Sequence, residues 1–320
     1  MLLLLLAAAV PACAGCHPKE SASHAAAPMA KTLFRAADSQ ILKANPALEV
    51  RRDGYVWKVR NGVYSVSDGK NTLNTPIQWA FGFGNLGQTW VFERNGVLRE
   101  STVSYYTSQK GLEITPGHID LPRRNLDEAF GRPIDPSEVR RCFGCHSTGT
   151  LPDPTPGVQC EQCHKGALKH AADLSTMPKL GKLSTDEIST LCGACHRTWE
   201  EVAVMGPHDA QNVRFQPYRL ANSKCYDGSD KRIACTACHD PHSAKPPTPK
   251  VATTTKINVD AQCRSCHGAP AISHAVKKTC PVAKSNCASC HMPAVEIPGI
   301  HSKFRDHWIR IARPGTPYPD

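Results

Sequence analysis

The sequence predicts a mainly irregular chain, with short α-helices wrapped around a core that its own side chains do not supply. A small antiparallel β segment is expected on the N-terminal side. Three observations predict this. Only 6% of the 320 residues are aromatic, while 26 Pro and 22 Gly punctuate the chain, so core-forming side chains and long helices are scarce. Two Asn-Gly pairs lie between alternating apolar runs. One pattern, C-x-x-C-H, recurs six times between Cys142 and His291.

The six are Cys142/Cys145/His146, Cys160/Cys163/His164, Cys192/Cys195/His196, Cys235/Cys238/His239, Cys263/Cys266/His267 and Cys287/Cys290/His291. Independent placement of the chain's Cys and His predicts about 0.04 such pentads. The pattern is the attachment signature of c-type haem. Two thiols add across the two porphyrin vinyl groups, and the next residue lies beneath the ring, where its imidazole binds iron. Zinc and disulfides are the competing readings of paired C-x-x-C, but neither requires His after every second Cys. Six haems, about one per fifty residues, would form a stacked core and supply the missing apolar mass.

The formal charge of +10 would ordinarily suggest an anionic partner. Six ferric haems, each carrying about −1 with its propionates, bring the total to roughly +4. No stretch interleaves basic and aromatic residues along one face, so no nucleic-acid partner is expected.

In order, residues 1–15 read as a lipoprotein-like signal peptide, since the apolar run is too short for the ~20 residues of a membrane span. Ala14-Gly15-Cys16 resembles the end of a lipoprotein leader, making Cys16 a lipidation candidate. Cys13/Cys16/His17 is also a seventh C-x-x-C-H, so the alternative is a seventh haem. Residues 16–48, rich in Ser and Ala at their start, are expected to be a tether, with His24 solvated. Residues 49–117 are expected to be β-rich, with hairpins at Asn61-Gly62 and Asn95-Gly96 and aromatics covering an edge haem. Gly82, Gly84 and Gly87 open no helix after a strand, so they carry no nucleotide-binding signal.

Residues 118–320 are the expected hexahaem domain. Asp135 with Pro136 predicts a capped helix into Cys142, and Ser184-Thr185-Asp186-Glu187 a capping box into Cys192. Asn258 or Asp260 would start a comparable turn into Cys263. First cysteines are 18, 32, 43, 28 and 24 residues apart, too uneven for a solenoid.

Each iron has a second axial position. Seven further histidines are candidates: His118, His170, His208, His242, His274, His301 and His307. Seven for six irons implies mostly bis-His haems and at least one bystander. His170 and His242 are too close in sequence to the preceding motif His to return over the same haem, so each should serve a neighbour. Met177 and Met205 are weaker ligand candidates, whereas Met292, directly after His291, points elsewhere on any local geometry. Bis-His ligation fills both axial sites, which favours electron transfer over catalysis. Cys225 and Cys280 belong to no motif and are expected to pair as a disulfide in an oxidising compartment.

The run Cys235-Thr-Ala-Cys-His-Asp-Pro-His242 resembles the doubled-CxxCH cytochromes. Cys287-Ala-Ser-Cys-His-Met-Pro293, with His301 and Phe304-Arg-Asp-His-Trp-Ile-Arg310, resembles bacterial multihaem cytochromes related to hydroxylamine oxidoreductase and its tetrahaem electron acceptor. Asn212-Val-Arg-Phe-Gln-Pro-Tyr-Arg219 and the stretch from Val103 through Tyr105-Tyr106 to His118 are similar to the same group. The resemblance spans about residues 80–312. It implies haems stacked in parallel and perpendicular pairs, and distal ligation by His118, His170, His242 and His307. The lysine-ligated C-x-x-C-K site of pentahaem nitrite reductases is absent.

The expected function is that of an exported hexahaem electron conduit, periplasmic or on the outer-membrane surface, held to the membrane only by a lipid anchor. Its partners would be redox proteins: a quinol-side donor and a terminal reductase or extracellular acceptor. The alternative is a reductase or oxidase of a small nitrogen or sulfur oxyanion with one five-coordinate haem, for which Tyr105, Tyr106, Arg214, Arg219 and His208 are the residues to inspect.

Overall fold

The computed structural model describes residues 12–149, 151–176, 180–206, 210–226, 233–243, 260–267, 280–313, 315 and 318. Their α-helices are short: α1 (Pro18–Ala26), α2 (Gln40–Ala44), α3 (Leu126–Phe130), α4 (Pro136–His146), α5 (Cys160–Cys163), α6 (Ala167–Ala172), α7 (Thr185–His196), α8 (Trp199–Met205), α9 (Gln216–Ala221), α10 (Asp260–His267) and α11 (Cys287–His291). Among the described residues no helix is long and apolar enough to cross a membrane.

The strands are β1 (Leu33–Arg35), β2 (Ala47–Arg52), β3 (Tyr55–Arg60), β4 (Val63–Ser67), β5 (Thr72–Pro76), β6 (Trp79–Phe81), β7 (Gly87–Arg94), β8 (Val97–Ser101), β9 (Val103–Tyr106), β10 (Gly111–Ile114) and β11 (Gly131–Pro133), followed by short two-stranded pairs. The first four after β1 form an antiparallel meander, β2-β3-β4-β5. A second, seven-stranded sheet runs β1-β6-β7-β8-β11, with β9 on β7 and β10 on β9. Asn61-Gly62 and Asn95-Gly96 both turn with positive φ, the mark of the tight hairpin turn whose twist matches its strands. Gly131 ends α3 at φ +154°, where a Cβ would meet the Glu100 carbonyl oxygen at 2.4 Å; only glycine lets β11 lie on β8.

Two compact units result. One comprises Pro28–Gln162 and Glu296–Ser302 and holds all eleven strands. Period-two burial puts Trp57, Val59, Tyr64 and Val66 on one face of the meander, each fully buried. They pack with Trp90, Phe92 and Phe130; the Tyr64, Phe92 and Phe130 rings lie 4.9–5.4 Å apart. The Trp57 indole N–H donates to the Ala129 carbonyl at 2.7 Å, so the one polar atom of that ring is satisfied. A smaller cluster of Leu33, Trp79, Val91, Ile134, Val139 and Phe143 seats α4 on the second sheet.

The other unit gathers the described residues of Met1–Ala27, Cys163–Val295 and Lys303–Asp320. It consists of short helices, 3-10 turns and loops. Neither apolar cluster extends into it, and Leu168, Leu174, Val204 and Met205 are exposed.

Two expectations change. The β region is not small and does not begin at residue 49: it runs from Leu33 to Pro133, and most of its aromatics fill its own core. Residues 16–48 are not a tether. They hold α1, α2 and β1, with Leu33 paired to Phe81 and both Leu33 and Ala27 buried. A Ser/Ala-rich start reads as a linker only while its long-range strand partner is unknown.

Candidate haem-binding site

In a helix, residues i, i+3 and i+4 share one face, so a helical C-x-x-C-H presents both thiols and the imidazole together. Four motifs are delivered this way, by α4, α7, α10 and α11. In α4 the Asp135 carboxylate accepts the Ser137 and Glu138 N–H groups at 2.8 and 3.0 Å. In α7 the Ser184 hydroxyl accepts from Glu187 N–H, and the Glu187 carboxylate accepts from Ser184 N–H at 2.7 Å. The fourth motif is a 3-10 turn, with Cys238 and His239 N–H groups both donating to the Cys235 carbonyl, at 3.2 and 2.9 Å.

The cysteines of each motif are not bonded to each other. No disulfide joins Cys142 to Cys145, Cys192 to Cys195 or Cys287 to Cys290, nor the cysteines of the other three motifs. A reduced thiol is also the form that can add to a vinyl group. The second thiols, expected as one uniform set of thioether donors, are not equally covered. Cys145, Cys163 and Cys195 are half-buried, whereas Cys238, Cys266 and Cys290 are exposed. The difference follows the packing. Cys145 sits on α4, which the smaller apolar cluster holds through Val139 and Phe143, whereas α11 buries none of its residues and the Cys290 sulfur lies 3.7 Å from the Ser289 hydroxyl.

Consecutive motifs are tied in pairs. Gln162 of the second donates to the Gly144 carbonyl of the first at 2.9 Å. The thiols of Cys192 and Cys235, leading the third and fourth, lie side by side. Asp260 joins the fifth to the sixth: it opens α10, yet its carboxylate accepts the N–H groups of Asn286 and Cys287 at 2.7 and 2.9 Å. Asp260 therefore starts the fifth motif and fixes the sixth.

Four of the histidines have an oxygen at Nδ1, whereas the Nδ1 of His164 is buried without a hydrogen-bond partner. A ligating imidazole normally donates its other ring N–H to an oxygen, which fixes the tautomer and aims Nε2 at the metal. Nδ1 of His146 lies 3.2 Å from the Thr32 carbonyl, that of His291 3.1 Å from the Arg310 carbonyl, and that of His307 3.0 Å from the Arg305 carbonyl. His196 Nδ1 contacts Gln216 Oε1 at 3.1 Å. Burial is the main reason that the pKa values of His164, His196, His239 and His307 are lowered, keeping these rings neutral and able to ligate.

Two motif histidines face a second imidazole. The His164 and His242 ring centres lie 5.9 Å apart with planes 15° from parallel; those of His239 and His307 lie 6.2 Å apart at 25°. With metal–imidazole bonds of about 2.0 Å and a ring nitrogen about 1.1 Å from the ring centre, two imidazoles on one iron have centres about 6 Å apart. The residues fit a bis-His c-type haem at both places.

The remaining candidates fall elsewhere. His170 Nδ1 is buried without a hydrogen-bond partner. His118 is buried with Nε2 3.1 Å from Glu100 Oε2, and Glu100 also accepts from Arg132 Nε at 2.9 Å. His301 packs edge-on against Tyr106, ring centres 4.9 Å apart. His208, His274 and Met177 lie outside the described residues, and Met205 is exposed. Cys225 and Cys280 are not bonded to each other. Cys225 is half-buried, whereas Cys280 is exposed. Of the residues named for catalysis, Tyr105 and Tyr106 are buried in the sheet unit, where the Tyr106 hydroxyl donates to the Ile114 carbonyl. Arg219 is buried against Asp306. The paired ties between motifs were missed from sequence; only a polar residue opening a motif helix, as Asp260 does, hinted at one of them.

A family profile described as the doubled CXXCH motif matches residues 229–272. No curated protein matches the chain. Among solved structures, the outer cell wall cytochrome OcwA superposes with a TM-score of 0.53 at 14% identity, over 93% of this chain and 78% of that one. The chain therefore has the doubled haem-attachment motif and the fold of a multihaem c-type cytochrome.

Proposed function

We propose that the chain is an exported electron carrier whose six C-x-x-C-H sites hold six c-type haems, most of them bis-His, between redox-protein partners that donate and accept single electrons. The observation that carries this reading is the pair of imidazole couples, His164–His242 and His239–His307, at the separation of two ligands on one iron. An iron held on both faces has no position for a substrate, so what the bound group supplies there is reversible one-electron exchange. The chain's own residues do the rest. Paired cysteines fix each ring at two edges. Ligand histidines, four of them (His146, His196, His291 and His307) oriented through Nδ1, set the potential. The bonds from Gln162 to the Gly144 carbonyl and from Asn286 and Cys287 to Asp260 hold consecutive motifs together, and electron transfer needs neighbouring rings close. That the similar OcwA is an outer cell wall cytochrome supports export.

The ferric EPR spectrum tests this reading. Low-spin signals accounting for nearly all the iron are expected. A high-spin signal worth a whole haem, lost on adding nitrite, hydroxylamine or sulfite, would overturn it in favour of an oxyanion reductase.

A further inference from the structure

We propose that Cys13, Cys16 and His17 hold a seventh c-type haem, rather than ending a leader whose Cys16 takes lipid. The proposal rests on reading the six downstream motifs as haem sites. Four observations carry it. First, the backbone has the same turn as the fourth motif: Cys16 and His17 N–H groups both donate to the Cys13 carbonyl, at 3.2 and 2.7 Å, against 3.2 and 2.9 Å at Cys235. Second, the turn runs straight into α1, where Ser21 N–H donates to the His17 carbonyl at 3.0 Å, and α1 leads to the fully buried Ala27. This is ordered helix, although α1 itself buries no residue, where a lipoprotein would carry a loose linker.

Third, the turn Ala12–Gly15 packs on α6, and the described residues up to Ala27 cluster with the motif-bearing unit. Fourth, α6 carries His170, whose buried Nδ1 has no hydrogen-bond partner, so a second imidazole is to hand. Cleavage before Cys16 would discard Cys13 and break the carbonyl contacts that shape the turn. Attachment uses the motif's own chemistry. Each S–H adds across a vinyl C=C, the sulfur bonding one carbon and the proton the other, with no net oxidation or reduction. The added haem would lie against α6, the helix that follows the second motif, lengthening the conduit by one step.

The test is the full chain exported in a host with cytochrome c maturation, followed by pyridine haemochrome against protein mass and mapping of the tryptic peptide ending at Lys19. Seven haems per chain, with Soret absorbance on that peptide, are expected. The double variant C13S/C16S should then fall to six while the other haem peptides stay unchanged. Six haems in the native chain, with Cys16 as the lipidated N-terminus or with no haem on the Lys19 peptide, would overturn this inference and leave the six-haem reading standing. No covalent haem at all would remove both. Because the peptide is mapped on the unaltered protein, misfolding of the variant cannot hide the answer.

Discussion

Arg219 grips Asp306 through two parallel hydrogen bonds, Nε to Oδ1 at 2.9 Å and one terminal nitrogen to Oδ2 at 3.0 Å, with both side chains fully buried. The Trp308 N–H donates to the same carboxylate at 3.0 Å, and Arg310 contacts it as well. Between Asp306 and Trp308 stands His307, the imidazole that faces His239. One buried carboxylate thus pins the backbone on both sides of a candidate axial ligand.

Breaking that pair should be costly. Arg219→Met leaves a buried carboxylate short of its main partner, a class of change that costs about 3–5 kcal/mol. Arg219→Lys keeps the charge but not the fork and should fall between. Chemical denaturation measures the loss, and EPR should show part of one haem turning high-spin as His307 loosens. Full stability in the Met variant would show that the pair is incidental.

The pH dependence has a definite sign. Burial pushes the Asp306 carboxyl up, but Arg219, the Trp308 N–H and Arg310 outweigh it and hold the carboxyl below the usual range. A carboxylate depressed on folding adds stability that is fully present above its unfolded value of about 4 and is lost as pH falls through the folded value. Denaturation midpoints should drop on acidification below about pH 4, and Asp306→Asn should flatten that part of the curve. An unchanged acid limb in the Asn variant would contradict the assignment.

At the other couple, His242→Ala should open one iron and produce one haem's worth of high-spin signal without changing the haem count. His242→Met should restore a low-spin site and raise one midpoint potential by about 0.1 V or more, within the ~0.8 V that axial ligands span. Titration followed by optical spectroscopy reads both. Loss of no low-spin signal in the Ala variant would mean that His164 has a different partner.

How much of this was legible depends on the range of the interaction. Asn61-Gly62, Asn95-Gly96, the Asp135 cap and the Ser184 box are local chemistry and were readable as such. Asp53-Gly54 follows the same rule, with φ of 51° and 84°, and its lack of a strongly alternating strand before it hid the hairpin. Strand β1 is three residues long, too short for a period to show, and its burial comes from Phe81, far along the chain. Motif spacing names the proximal histidines but carries no information on which distant imidazole meets which, so His242 with His164 and His307 with His239 emerge only in three dimensions. The same holds for cover: Cys145, Cys195 and Cys290 occupy identical places in their motifs, and only the packing of α4, α7 and α11 sets them apart. Asp260 is the mixed case. Its place before Cys263 is visible in sequence, but its bonds to Asn286 and Cys287 are not.

Asp260→Ala should therefore damage two motifs at once. It removes the acceptor for two backbone N–H groups from a site where Asp260 is 4% exposed, a loss of about 1–3 kcal/mol. Haem stoichiometry should fall at Cys287 and Cys290 as well as at Cys263 and Cys266, seen by peptide mapping. A defect confined to the fifth motif would mean that the tie to the sixth carries no weight.

Withholding haem should divide the chain. Both apolar clusters of the described residues lie between Leu33 and Phe143, with aromatic rings in mutual contact, whereas the unit that holds the third to sixth motifs has no such cluster among its described residues and exposes Leu168, Leu174, Val204 and Met205. Burying apolar surface is the main favourable term in folding, and a unit that lacks it needs bound groups to order it. Chain made in a cytosol without cytochrome maturation should keep a protease-resistant core spanning roughly residues 28–162, retain near-ultraviolet signal from Trp57, Trp79 and Trp90, and lose residues 163–295 to trypsin. Phe130→Ala should lower that core's stability by about 3–5 kcal/mol, because the ring it removes fills the contact between Tyr64 and Phe92. Equal protection of both units without haem would show that the motif-bearing unit folds on side-chain packing alone, and the cofactor would then be a passenger in the fold rather than its core.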